Sequence, residues 1–206
     1  MTTRRTQAER RADSEQRLLR AAAELIVERG MENTSLADIG RRAGASHAAV
    51  NHRFGSKDEL VDRLIEKAGL FHGNIALARI GERTGLDALL QLCDSYLALV
   101  DGPNPLGRVH VVLWSEAIAH TAERRAAHSE WDRQFRAVVA AYLEDAIAEG
   151  DVDPGLGVAD AALSIVGTVR GIAMQLLLDP DATELETARR TVAVLVRDAV
   201  KRPASA

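Results

Sequence analysis

Residues 43–60 read AGASHAAVNHRFGSKDEL. Gly44 is placed to stop one helix, Ser46 to start the next, Gly55 to stop that one, and Ser56 with Glu59 to start a third. The middle helix, about His47 to Phe54, has two apolar anchors, Val50 and Phe54, at i and i+4. An ordinary surface helix would fill its other side with Glu and Lys. Here that side holds His47, Asn51, His52 and Arg53 beside the small Ala48 and Ala49.

Working outward, the spacing predicts an all-α chain. A first helix spans about Asp13 to Arg29, with Leu18, Ala22, Leu25 and Ile26 on one face and Gly30 as its stop. Ser35 and Asp38 form a capping box for a short helix from Leu36 to about Ala43. A longer helix leaves Ser56 through Leu60, Leu64 and Ala68. Further amphipathic segments follow at Leu86–Val100, Val109–His120 and Ala122–Glu149, with Gly102-Pro103-Asn104-Pro105 read as a break. Ala159–Leu178 is apolar nearly all round, which predicts burial on more than one face. The last helix, Thr183 to about Lys201, places Leu185, Ala188, Val192, Leu195 and Ala199 at the steps of a packing seam.

Composition limits the function classes. The 206 residues are 47% hydrophobic, 27% charged and 3% aromatic, which fits a globular helical chain. A single cysteine, Cys93, excludes an internal disulfide framework. The N-terminus is polar, and no uninterrupted apolar run approaches the roughly 18 residues of a membrane span, so the expectation is a cytoplasmic protein with no membrane partner. No nucleophile motif, phosphate-cradling glycine loop or cofactor motif is present, so neither an enzyme nor a cofactor is expected. Glu116 and His120, at i and i+4, lack the further His or Cys that a metal site needs, so none is expected.

Charge is uneven. Residues 1–57 hold 11 Lys/Arg and 7 Asp/Glu, against totals of 26 and 30, so a basic head precedes an acidic body. Three short helices with a Gly-containing turn before the last describe a helix-turn-helix unit, whose final helix enters a DNA major groove. Asn can pair bidentately with adenine, and Arg with guanine or a phosphate. His47, Asn51, His52 and Arg53 are therefore candidate DNA contacts. Arg4, Arg5, Arg10 and Arg11 would make a flexible basic arm along the backbone.

Residues 18–68 closely resemble the N-terminal domain of TetR-family transcriptional regulators. The resemblance rests on Leu18-Leu19, Ala21-Ala22, Gly30, Thr34-Ser35, Ile39-Gly40, Ala43-Gly44-Ala45-Ser46, Asn51-His52-Arg53-Phe54 and Ser56-Lys57-Asp58-Glu59-Leu60. Gly40 departs from the usual Ala, at about 0.5–1 kcal/mol of helix propensity. Asn51 stands where Tyr is common, an Asn-bearing subgroup of this helix, and Arg53 replaces a His or Tyr. The phosphate role of those aromatics therefore passes to His52 or Arg53. The resemblance implies phosphate contacts from Thr34, Ser46 and Lys57. With Ser35 and Ala48 these complete the DNA-facing set.

The same resemblance implies a three-helix head followed by a roughly six-helix regulatory domain. The expected organisation is a flexible arm (1–12), a DNA-binding domain (13–68, helix-turn-helix about 35–54), a ligand-binding and dimerisation domain (69–202) and a disordered tail (203–206). Partners would be a pseudo-palindromic double-stranded DNA operator, a second copy joined through the last two helices, and a small hydrophobic effector that releases a repressor from DNA. Candidate effector contacts are Phe71, His72, Ile75, Cys93, Tyr96, His110, Trp114, Ile118, Trp131 and Phe135. The alternative is a dimeric DNA-binding regulator with no small-molecule effector, controlled by a protein partner or activating.

Overall fold

The structure is a computed structural model that describes residues 6–118 and 122–201, apart from the side chains of 122–124 and 127. Among the described residues there are helices and no strands, as the sequence predicts. They are α1 (Gln7–Arg29), α2 (Leu36–Ala43), α3 (His47–Phe54), α4 (Lys57–Ile80), α5 (Gly85–Asp101), α6 (Pro105–Ala117), α7 (Ala122–Glu149), α8 (Val158–Leu178) and α9 (Leu185–Val200).

Several boundaries differ from expectation. Residues 7–12 are helix and not a flexible arm. Thr6 and Glu9 form a capping box, with the Thr6 Oγ1 accepting from the Glu9 amide and the Thr6 amide donating to Glu9 Oε2 at 2.7 Å. Arg10 and Arg11 therefore stand on α1, while Arg4 and Arg5 lie outside the described residues, as does the 203–206 tail. The break at Gly102-Pro103-Asn104-Pro105 falls between α5 and α6 as expected, but α6 opens at Pro105, ahead of the expected Val109. The Asn104 side chain accepts from the Leu106 amide, and proline needs no donor at a first helical position. The helix leaving Ser56 runs on past Ala68; α4 continues to Ile80.

The chain forms two compact units. One is the chain up to Gly69 with Asn104–Arg125, and the other is Leu70–Pro103 with Ala126–Ala206. In the first, α1 packs on α2 and α6, and α2 packs on α3. Leu18, Ile26, Ile39, Val50, Leu60 and Leu64 are sealed inside it, each worth about 1.5–3 kcal/mol of transfer free energy. In the second, α5, α8 and α9 pack on one another around Leu89, Leu97, Leu143, Ile165, Val169, Val192 and Val196.

The two last helices bury less than expected. On α9 the inward row is Ala188, Val192, Val196 and Val200, so Leu195 and Ala199 of the predicted seam face outward. Steps of four drift around the helix and select this row. On α8 one side is buried, and Leu163 and Leu178 stay 58% and 79% exposed. By length and composition alone α8 would suit a membrane, with a mean hydropathy of 1.6 over its best window. In the folded chain 44% of that window is buried.

The corner after α1 fixes how α6 meets the head. Gly30 has φ 81°, and the Met31 amide donates to Glu116 Oε1 of α6 at 3.1 Å. A Cβ on Gly30 would stand 2.8 Å from the same oxygen. Gly30→Ala should therefore lower stability by about 1–3 kcal/mol, read as an earlier thermal or urea midpoint.

Candidate functional site

The first candidate surface is built by α2, its turn and α3. Ser35 caps α2: its Oγ accepts from the Asp38 amide at 3.2 Å and donates to Asp38 Oδ2 at 2.7 Å. That hydroxyl, the Ser35 amide and the nearby Arg29 and Arg41 guanidiniums hold the Asp38 carboxyl below its ordinary range. Gly44 adopts the left-handed conformation, and the Ala45 amide donates to the Gly40 carbonyl at 2.8 Å. Gly40 has a steric reason to lack a side chain, since a Cβ there would lie 2.8 Å from the Ala45 carbonyl oxygen and 3.2 Å from Val50 Cγ2. The glycine that costs helix propensity is what lets the turn close on α2.

Ser46 starts α3 by accepting from the Ala49 amide at 3.2 Å, and the Gly55 amide closes it on the Asn51 carbonyl at 2.7 Å. Val50 and Phe54 turn inward. His47, Ala48, Asn51 and His52 lie on the exposed side. Arg53 sits on the flank, its side chain 27% exposed, with Nη1 3.5 Å from Glu15 Oε2 of α1. Ser56 Oγ accepts from the Glu59 amide at 3.1 Å and opens α4, where Lys57 is half-buried. Thr34 stands apart from this set. It is buried, and its hydroxyl donates to the Gly30 carbonyl at 2.8 Å, so a direct phosphate contact by that hydroxyl does not fit its position.

The second candidate site is a ring cluster in the Leu70–Pro103 and Ala126–Ala206 unit. Tyr96 and Phe135 stack with centroids 5.6 Å apart, and Trp131 and Phe135 stack at 5.5 Å. His72 approaches Tyr96 at 5.6 Å and Trp131 at 6.4 Å, and Phe71 meets His72 edge-on at 6.1 Å. Over the rings lies a group that sequence reasoning missed. The guanidinium carbon of buried Arg170 is 5.0 Å from the Trp131 centroid and 5.7 Å from that of Phe135, and Arg170 is ion-paired with Asp132. A lone arginine in the apolar run of α8 was the available signal.

Other sequence-chosen residues go elsewhere. Ile75 is half-buried on α4. Buried Cys93 lines a solvent-open groove of about 470 Å³ between α5 and α9. His110 and Trp114 lie on α6 in the other unit, and Ile118 just beyond α6 is 66% exposed. His120 lies outside the described residues, among which no group of three His, Cys, Asp or Glu could hold a metal.

Residues 18–64 match the model of bacterial regulatory proteins of the tetR family, and residues 85–201 match the BetI-type transcriptional repressor C-terminal model. The chain belongs to the TetR family of transcriptional regulators. The HTH-type transcriptional repressor KstR2 of Rhodococcus jostii is 30% identical over 139 residues, 65% of each chain. The HTH-type transcriptional repressor Rv3405c of Mycobacterium tuberculosis is 40% identical over 52 residues, 25% of this chain and 28% of that protein. Two solved TetR-like structures share the fold. A transcriptional regulator from Saccharomonospora viridis in complex with choline has a TM-score of 0.80 at 18% identity, covering 93% of this chain and 100% of that one. FadR from Bacillus subtilis in complex with stearoyl-CoA has 0.78 at 21%, covering 90% and 99%.

Burial pushes the Cys93 thiol from 9.0 up to about 12, and it also raises the Tyr96 phenol. Both groups are neutral in the folded TetR-family chain at pH values where an unfolded chain has begun to ionise. Their contribution to stability is therefore complete below the unfolded values and is lost as pH climbs; for Cys93 the window runs from 9.0 to about 12. Urea midpoints should fall across that window, and less steeply in Cys93→Ala once its lower starting stability is subtracted.

Proposed function

We propose that the chain is a homodimeric repressor. It holds a pseudo-palindromic operator through α3 of each copy, and it leaves that operator when a small hydrophobic molecule binds the regulatory part. Residues 13–68 then read DNA in the cytoplasm, and residues 69–202 dimerise and sense the effector. The observation that carries this reading is the exposed side of α3. His47, Asn51 and His52 project from a short helix whose opposite side is fully used by Val50 and Phe54. Asn51 has the groups to pair with adenine, while Ser46, Lys57 and the histidines are suited to flanking phosphates.

Dimerisation is supported by the outward side of the last two helices. Leu163, Gly167, Gly171 and Leu178 form a stripe on α8, and Val194 and Leu195 stand 56% and 46% exposed on α9. A Cβ on Gly167 or Gly171 would meet nothing within 4 Å. Inside one chain each glycine is a cost of about 1 kcal/mol against alanine. A second backbone brought close against the stripe supplies the reason for both. Two helices per copy would give a four-helix interface.

For the effector, the rings of His72, Tyr96, Trp131 and Phe135 offer apolar walls. The stearoyl chain and the choline cation held by the two structural neighbours are ligand classes to try first. Arg170 already occupies the faces of Trp131 and Phe135 as an organic cation would. The stacking of those rings on one another favours a second reading, in which the site is filled by its own side chains and a protein partner regulates the dimer. Titration with choline and with stearoyl-CoA, followed by Trp131 emission in a Trp114→Phe background, separates the two. A saturable change that lowers operator affinity supports the effector, and no change with either ligand supports the protein partner.

Two substitutions test the rest. Asn51→Ala should reduce discrimination between a duplex selected by the wild-type protein from a random pool and a scrambled version of it by about ten-fold, measured by fluorescence anisotropy. Gly171→Leu should weaken the dimer at least about ten-fold in sedimentation while leaving the helical content of the monomer intact or raised. An unaltered dimer would remove α8 from the interface.

A further inference from the structure

We infer that Glu15 is a brake on DNA affinity: its carboxylate holds the Arg53 guanidinium at the flank of the recognition helix, away from phosphates. The inference rests on the reading of α3 as the DNA-facing helix. Arg53 is the one Lys or Arg in α3, so it is the only permanent cation on that helix. It does not lie on the exposed side with His47, Asn51 and His52. Glu15 of α1 reaches it, with Oε2 3.5 Å from Arg53 Nη1, while Oε1 of the same carboxylate is 3.5 Å from Arg63 Nη2 of α4.

The charges around this contact favour withholding. Glu15, Arg53, Phe54, Glu59, Asp62 and Arg63 line one notch of about 360 Å³ where α1, α3 and α4 meet. Its carboxylates outnumber its guanidiniums. Arg63 has a nearer partner in Glu66, at 2.8 Å, so Glu15 can turn to Arg53 without leaving Arg63 unpaired. Among the described residues Glu15 is the carboxylate within ion-pair distance of Arg53. Both side chains of this pair are little more than a quarter exposed, and contacts of such length near the surface are weak. A phosphate can compete for Arg53, but it must first displace Glu15 and then tolerate the carboxylate left behind.

The consequence is selectivity. Phosphate contacts by permanent cations raise affinity for every sequence alike. A recognition helix whose only arginine is restrained depends more on Asn51, whose contact can distinguish bases. Glu15 thus lowers the sequence-independent part of binding. It is a positioning residue and does not itself touch DNA.

The test uses the full-length protein and a random-sequence duplex, with anisotropy measured over a series of KCl concentrations. The proteins are wild type, Glu15→Gln, Arg53→Gln and the double variant, each checked for an unaltered melting temperature. Glu15→Gln should tighten low-salt binding about five-fold and steepen the slope of log Kd against log salt by about one phosphate contact. In the Arg53→Gln background the same change should do less than about two-fold and leave the slope alone, because only carboxylate–phosphate repulsion remains. An equal gain in both backgrounds, or no gain in either, overturns the brake while duplex binding by the wild type upholds the DNA reader. Failure of all four proteins to bind duplex overturns both.

Discussion

An isolated helix of eight residues does not persist in water, because nucleation is costly and too few hydrogen bonds follow it. Everything assigned to α3, which has that length, depends on something else holding it. Two things do. Ser46 and Gly55 satisfy its ends, and Val50 and Phe54 bury one side against the head. The tight approach of Gly40 to the Ala45 carbonyl and to Val50 makes the second possible. The helix can therefore present an outward side with no structural duty. Polar residues there need not stabilise the fold, which is why they are available for recognition.

Legibility followed the strength of local signals. α2, α3 and α7 fall on their predicted bounds because Ser35, Ser46, Gly44 and Gly55 punctuate the first two, and a long amphipathic repeat with Gly150 after it marks the third. The start of α1 was missed because a Thr-Glu capping box in a polar, arginine-rich stretch has no apolar periodicity behind it. The break at residues 102–105 was legible, but the start of α6 was set four residues late, because the pair Asn104-Pro105 that ends one helical run also opens the next. On α9 the apolar residues fill two adjacent stripes, and periodicity cannot say which one the chain buries for itself. The structure assigns Val192, Val196 and Val200 inward and leaves Val194 and Leu195 outside.

The charge asymmetry shows a different limit of sequence reading. A net basic head suggested cations offered to DNA. In the folded head several are committed to its own acids: Arg29 to Asp38 at 2.8 Å, Arg42 to Glu28 at 2.8 Å, Arg63 to Glu66 at 2.8 Å and Arg53 to Glu15 at 3.5 Å. Counting charges therefore overstates the field that a phosphate meets. The family motif marks α3 but does not show which side chains on it are engaged by neighbouring helices. Glu15, on α1 and far from α3 in sequence, was invisible for that reason.

The regulatory unit carries the opposite surprise, a charge where apolar packing was expected. Arg170 is 7% exposed in a helix whose only other charged residue is Asp160. Burying a guanidinium costs several kcal/mol unless its partners are well placed, and Asp132 with the Trp131 and Phe135 faces provides such partners. An aliphatic side chain would have closed the same space without that cost. Beside it on the same helix, the exposed Gly167 and Gly171 forgo helix stability that alanine would give, with room to spare for the methyl group. One helix thus departs from its own optimum twice, with a buried charge and with exposed glycines. Neither departure is explained by the folding of a single chain. Under the proposed function, a second backbone would run along the glycines, and the rings would line a site whose charge balance changes with what enters it.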